Sequence, residues 1–196
     1  SHQIRYLADV AGTKPVVVSP YDAELFGHWW FEGPWFLEYC FRAMQRQDIF
    51  ESSRPLDIIR AEQAFQVLSP SPSSWGDGGY NAVWLNPGND WIYRHLHAAE
   101  QRMVDLARTH RRATGLLEQA LNQAARELLL AQSSDWAFIM TTGTMVAYAE
   151  RRTRDHLHHF NGLFLQITEN RIDKQWLDEL RAKNNIFSEV DFRAYC

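Results

Sequence analysis

Cysteine is scarce in this 196-residue sequence: there are two, Cys40 and the final Cys196. That excludes a disulfide framework, so packing has to hold the chain together. Cys40 lies in an apolar run and reads as a small core residue, and the natural compartment is a reducing cytoplasm. A basic excess is missing too. Twenty Lys and Arg against 24 Asp and Glu give a formal charge of −4, which excludes the footprint of a nucleic-acid binder. The one basic cluster, Arg108 to Arg112, falls in a helical pattern and reads as a solvated face. No apolar run is long enough to span a membrane, and no signal peptide is recognisable. Neither nucleic acid nor membrane is therefore expected as a partner. Nor is there a phosphate-binding loop, because Trp75-Gly76-Asp77-Gly78-Gly79 lacks the required spacing. What the chain does have is aromatic rings, with eight Trp, seven Tyr and eleven Phe. Such rings fill cores, and they also make the rigid platforms on which sugars sit.

Strand signals are equally few. Lys14-Pro15-Val16-Val17-Val18-Ser19-Pro20 is β-branched and uninterrupted by polar residues, the pattern of a strand buried on both faces of a parallel sheet. The neighbours such a strand requires are not found, so Val16–Val18 is expected to be one strand of a barrel encoded mostly upstream. Gly33-Pro34 opens a helix running to about Arg46, and a weaker one is expected over Leu56 to Ala64. Between Leu68 and Gly79 the breakers Pro-Ser-Pro-Ser-Ser-Trp-Gly-Asp-Gly-Gly mark a domain boundary. Beyond it the chain reads as helical. Asn89 is expected to cap a helix with Trp91, Ile92, Leu96, Ala99, Met103 and Leu106 on one stripe. A second helix carries Leu117, Leu121, Ala124, Leu128 and Leu129, and a third runs from about Thr142 past Tyr148 towards Phe160. A fourth, capped by Asp173, presents Trp176, Leu177 and Leu180. The tail from Ile186 to Phe192 is expected to be irregular and anchored by its aromatics. Composition and pattern thus predict a mainly α chain: residues 1–68 the last strand and helices of an incomplete β/α barrel, and 69–196 an α-helical C-terminal domain.

The densest chemistry lies in Pro20-Tyr21-Asp22-Ala23-Glu24-Leu25-Phe26-Gly27-His28-Trp29-Trp30. An acidic residue just beyond a buried parallel strand sits where barrel active sites are built. Around Asp22 are a second carboxylate, Glu24, the imidazole of His28 and a Trp pair. Glycoside hydrolysis uses such parts: a carboxyl with a tunable pKa, and stacking surfaces. The same residues also suit a solvated strand end with the Trp pair used for packing, and spacing alone leaves both readings open. Among histidines, His95 and His97 point to different helix faces. His156 and His159 could share one, but no Cys or nearby carboxylate of suitable spacing completes a ligand set, so no metal site is expected.

The stretch from Tyr21 to Trp30 resembles the fourth conserved region of family 57 glycoside hydrolases. Pro72-Ser73-Ser74-Trp75-Gly76, followed by Val83-Trp84-Leu85-Asn86, resembles the branching-enzyme version of the region that donates two active-site tryptophans. Ser133-Ser134-Asp135-Trp136 with Thr141-Thr142-Gly143 resembles the fifth region, and Asn185 to Arg193 resembles the family's C-terminus. The resemblance covers nearly the whole chain. It implies that Asp22 is the catalytic acid/base, that Trp75, Trp84, Asp135, Trp136, His28 and Trp29 meet the substrate, and that Glu24 plays a supporting part. It also implies that no cofactor is needed. Family 57 enzymes retain anomeric configuration, using a Glu nucleophile and an acid/base carboxyl about 5 Å apart. Nothing here resembles the nucleophile's motif, and Glu24 and Glu32 do not replace it. The expectation is a 1,4-α-glucan branching enzyme of that family, its nucleophile upstream, acting on glycogen, amylose or a starch-like glucan. The chain by itself would be inactive and would need the N-terminal barrel portion as its partner. Two alternatives stay open: an α-amylase or 4-α-glucanotransferase of the same family, and a non-catalytic glucan-binding or assembly module.

Overall fold

The computed structural model describes residues 2–12, 14–47, 50–61, 65 and 67–196. Among these there is no β-strand, and the chain is mainly helical. No helix is long and apolar enough to cross a membrane. Contacts divide the chain into two compact units, Ser1–Ser69 and Pro70–Cys196.

The first unit holds three helices: α1 (His2–Ala11), α2 (Gly33–Met44) and α3 (Pro55–Ala61). Helix α1 was not foreseen. Helix α2 begins as expected, with Pro34 in its first two positions, where the missing N–H costs nothing. Helix α3 ends at Ala61; the expected continuation over 62–64 lies outside the described residues. The expected buried strand is corrected. Val16, Val17 and Val18 pair with nothing described and are 56%, 53% and 72% exposed. A strand needs a neighbour to take its backbone hydrogen bonds, and the described residues offer none. Gly33 is the one described residue of the unit that is fully buried. Aromatic rings stack locally, Phe26 on Trp30 at 5.8 Å and Trp30 on Phe36 at 4.9 Å between centroids, yet Trp29, Phe31, Trp35 and Phe41 remain exposed. The unit's described residues have apolar surface in abundance and almost no interior.

The second unit has the core that the first lacks. Its helices are α4 (Trp91–Thr109), α5 (Gly115–Ala131), α6 (Ser134–Thr142), α7 (Val146–Thr168) and α8 (Lys174–Lys183). Helix α5 packs chiefly on α7 and also on α4, α8 and the tail. Four buried alanines of α5, Ala120, Ala124, Ala125 and Ala131, keep its surface low, so that neighbouring helices can approach closely. Met103, Leu121, Leu128, Phe160, Leu163, Leu177 and Phe192 fill the interior, each large side chain contributing about 1.5–3 kcal/mol by leaving water. The expected stripe of α4 is buried except Trp91, which is half-buried beneath the Arg154 guanidinium, 4.4 Å from its ring centroid. Arg108, Arg111 and Arg112 are solvated as expected, but α4 ends at Thr109 and leaves Arg111 and Arg112 in a turn beyond the helix.

Two boundaries differ from the sequence reading. Asp90, not Asn89, occupies the N-cap position of α4; Asn89 is instead fully buried, its amide drawn into tertiary hydrogen bonds. Thr142 ends a helix, α6, rather than beginning one. The break is Gly143, at φ 77°, a left-handed cap position that a residue without Cβ takes without strain. Asp173 does cap α8, its Oδ1 accepting from the Trp176 N–H at 3.1 Å. The tail is held by one aromatic, Phe192, while Phe187 is exposed. Arginines do the rest: Arg126 donates to the Ile186 carbonyl at 2.6 Å, and Arg193 to the carbonyls of Arg111 at 3.1 Å and Ala113 at 2.8 Å.

Candidate active site

The residues singled out in the sequence fall into two constellations, one in each unit. In the first, the chain from Leu25 to Trp29 makes one π-helical turn, closed by the Trp30 N–H on the Leu25 carbonyl at 2.9 Å. A π-turn brings residues five apart together as well as those four apart. Glu24 accordingly meets both His28 and Trp29: its Oε1 lies 3.1 Å from His28 Nε2 and accepts from Trp29 Nε1 at 3.1 Å. The two rings lie 5.4 Å apart. Asp22 sits just before this turn, its carbonyl accepting from the Leu25 N–H at 3.2 Å. Its carboxylate is exposed and takes no side-chain partner among the described residues. Glu24, His28 and Trp29 are therefore a connected group, and Asp22 stands beside it as an unengaged carboxyl.

The second constellation is an aromatic corner. Trp75 and Trp84 lie edge to face with centroids 6.1 Å apart. Phe138, from α6, completes the corner at 5.9 Å from Trp75 and 6.5 Å from Trp84. The loop that carries Trp75 is pinned to the segment that carries Trp84. Ser74 Oγ accepts from the Asn81 N–H at 2.7 Å, and the Ser74 N–H donates to the Gly79 carbonyl at 2.8 Å. Gly76, at φ 108°, lies so close to Val83 that a Cβ would fall 2.8 Å from its methyl group. No larger residue fits there without moving the loop. Trp75 is 64% exposed, so part of its ring stays open to solvent.

Asp135 and Trp136 do not join this corner. Asp135 is exposed in the first turn of α6. Trp136 donates through Nε1 to the Leu130 carbonyl at 2.8 Å, meets Tyr148 edge-on at 6.0 Å, and has the Arg152 guanidinium 5.9 Å from its ring centroid. Phe138, two residues along, emerges about 200° around the helix from Trp136. Sequence reasoning missed Phe138. Its signal was present in the spacing to Thr141, one turn later on the same face.

A third cluster was also missed. His156 and His159, both on α7, converge on Glu127 of α5: its Oε2 is 2.7 Å from His156 Nδ1 and 3.3 Å from His159 Nδ1. Nδ1 and carboxylate atoms of the three lie within 4.8 Å of one another, which raises the question of a metal. The hydrogen bonds answer it. Arg152 Nη2 lies 2.9 Å from His156 Nε2; a guanidinium can only donate, so Nε2 accepts and Nδ1 carries the proton given to Glu127. Gln123 and Asn184 each donate to Glu127 Oε1 at 2.8 Å. Two ligands of one tetrahedral zinc would stand roughly 3.4 Å apart, given metal–ligand distances near 2.1 Å, so 2.7 Å is a hydrogen-bond spacing. The residues fit a closed hydrogen-bond network and do not fit a metal. Burial pushes the Glu127 pKa up, but the hydrogen bonds from His156, His159, Asn184 and Gln123 outweigh it and hold the carboxyl down at about 2.

A profile of the 1,4-alpha-glucan branching enzyme C-terminal family matches residues 95–195, just over half of the chain. The chain belongs to this family. The branching enzyme of Thermococcus kodakarensis is 35% identical over 185 residues, which are 91% of this chain and 27% of the relative. Among solved structures, a GH57-type branching enzyme from Pyrococcus horikoshii shares 33% identity with a TM-score of 0.81, over 99% of this chain and 37% of that one. An α-amylase from Thermotoga maritima shares 44% identity with a TM-score of 0.75, over 99% and 36%. The chain thus spans between a quarter and two-fifths of the length of these relatives.

Proposed function

We propose that this chain is the C-terminal part of a family 57 1,4-α-glucan branching enzyme that works in the cytoplasm on glycogen or a similar glucan. The family match over 95–195 carries this reading. Two further features support it. The first unit exposes Val16–Val18, Trp29, Phe31 and Trp35 with almost no interior of its own, and an apolar surface of that kind calls for a protein partner. An upstream barrel portion of the same protein supplies one, along with the nucleophilic Glu. In the second unit the Trp75–Trp84–Phe138 corner offers apolar ring faces of the kind that hold sugars.

In the complete enzyme Asp22 protonates the α-1,4 glycosidic oxygen as the C1–O bond breaks and the upstream Glu bonds to C1. It then takes the proton of an acceptor 6-hydroxyl as that oxygen displaces the Glu, giving an α-1,6 branch. Glu24 orients His28 and Trp29, while Trp75, Trp84, Asp135 and Trp136 contact the glucan. No cofactor takes part. The glycosyl-enzyme must outlast water until the acceptor arrives, and aromatic walls that exclude water serve that purpose. Replacing Trp84 by Ala in the complete enzyme is expected to lower the ratio of transfer to hydrolysis by about tenfold, read as new α-1,6 linkages per new reducing end.

A second reading, an α-amylase, is favoured by the 44% identity to the Thermotoga maritima protein. The division of labour is tested by comparing the isolated chain with the protein that contains its upstream portion. On amylose, the isolated chain should bind without turnover and the longer protein should transfer. Glycosyl transfer by the isolated chain would refute the upstream nucleophile.

A further inference from the structure

Trp84 stands in a segment made of turns, where no helix or sheet fixes its direction. Its own N–H and that of Leu85 both donate to the Asn81 carbonyl at 2.9 Å. The two carbonyls that flank its Cα are held by side chains from elsewhere. On one side, the Val83 carbonyl accepts from Thr141 Oγ1 at 2.5 Å and from Asn89 Nδ2 at 3.1 Å, so both its lone pairs are used. On the other side, the Trp84 carbonyl accepts from the Tyr93 hydroxyl. Fixing the peptide planes before and after one residue fixes its φ and ψ, and with them the direction of its Cα–Cβ bond.

The anchoring groups also hold one another. Thr141 Oγ1 accepts from Asn89 Nδ2 at 3.0 Å and from Asn86 Nδ2 at 2.9 Å, and Asn89 Oδ1 accepts from the Asn86 N–H at 2.8 Å. Asn89 is fully buried, and a buried amide is costly unless its hydrogen bonds are made. These bonds converge on the Val83–Trp84 peptide. Thr141 belongs to α6, one turn beyond Phe138, so the hydroxyl that fixes the Trp84 backbone and the ring that packs on its indole move as one body.

We propose that Thr141, Asn89 and Tyr93 are positioning residues that set the angle of Trp84, and through it the Trp75–Trp84–Phe138 corner, against the acceptor glucan. The proposal rests on the reading that Trp84 contacts glucan. None of the three need touch substrate; each acts through the backbone of Trp84.

The test uses the complete protein that contains this chain, with amylose as substrate. Thr141→Val and Tyr93→Phe each delete a hydroxyl with little change of shape, and Thr141→Ser keeps one. The double variant T141V/Y93F is expected to lower the transfer-to-hydrolysis ratio about tenfold and to raise KM for amylose severalfold, with kcat for hydrolysis within about twofold. Thr141→Ser should stay within about twofold of the unsubstituted protein. Hydrogen exchange at the Trp84 and Leu85 amides should quicken about tenfold in Thr141→Val alone, and that single variant serves if the double one folds poorly. An unchanged ratio in the double variant, with Trp84→Ala clearly impaired, would overturn the positioning role and leave the glucan reading intact. An unchanged ratio in Trp84→Ala itself would overturn both.

Discussion

Replacing Asp22 by Asn in the complete enzyme should lower turnover of amylose by roughly 10³–10⁴-fold, because the amide can neither protonate the departing oxygen nor deprotonate the incoming one. On the proposed mechanism both half-reactions depend on that carboxyl, and they should fail differently. With a donor such as an α-glucosyl fluoride, whose leaving group departs without a proton, the first step should recover much of its rate while the second stays slow. The glycosyl-enzyme would then accumulate. The geometry supports a specific control. Glu24 is bound to His28 and Trp29, so Glu24→Gln should raise KM more than it lowers kcat, whereas Asp22→Asn should act on kcat. Near-normal turnover in Asp22→Asn, measured as glucan consumed per enzyme per second, would remove Asp22 from the mechanism.

The second large effect concerns stability. Glu127→Ala should cost roughly 3–5 kcal/mol, because several buried donors lose their acceptor at about 1–3 kcal/mol each. It strands His156 Nδ1, His159 Nδ1 and Asn184 Nδ2, and takes from Gln123 Nε2 its shortest acceptor. These groups come from α5, α7 and the end of α8, so their loss loosens the centre of the helical unit. Glu127→Gln keeps the shape but sets an amide donor against two imidazole donors, and should also destabilise. The sign of the pH dependence follows from the depressed pKa. Folding lowers it from an ordinary value of 4.5 to about 2, so the carboxylate contributes roughly 3 kcal/mol. That contribution is complete above pH 4.5 and is lost as the pH falls towards 2. Denaturant midpoints for the unsubstituted chain and Glu127→Gln should therefore differ most near neutrality and converge between pH 4.5 and 2. A gap independent of pH would show that Glu127 is not held ionised by this network.

The helical unit was legible in the sequence because its information is periodic. The stripe Ile92, Leu96, Ala99, Met103 and Leu106 and the cap Asp173 stand in the structure as their spacing predicts. What failed was information that periodicity does not carry. The valine run satisfies every local criterion for a buried strand, yet no described residue pairs with it. Asn89 looks like a helix cap because Asn is good at capping; tertiary partners at Val83 and Thr141 outbid that local use. Thr142 and Gly143 lie between two apolar stretches that one helix could have joined, and only the left-handed Gly143 shows the break. Glu127, 29 residues from His156, could not be paired with it from spacing. The candidate residues stand out in the sequence as motifs, Tyr21–Trp30 and the two tryptophan regions, but their grouping does not. Phe138 was invisible until α6 was known to turn it towards Trp75 and Trp84.

The most direct measurement is a linkage balance on amylose incubated with the complete enzyme, counting α-1,4 linkages, α-1,6 linkages and reducing ends together by proton NMR. A branching enzyme loses one α-1,4 linkage for each α-1,6 linkage gained, at a nearly constant number of reducing ends, and that is the expected result. Reducing ends that rise one for one with the α-1,4 linkages lost, with no α-1,6 signal, would contradict it and make the protein an α-amylase.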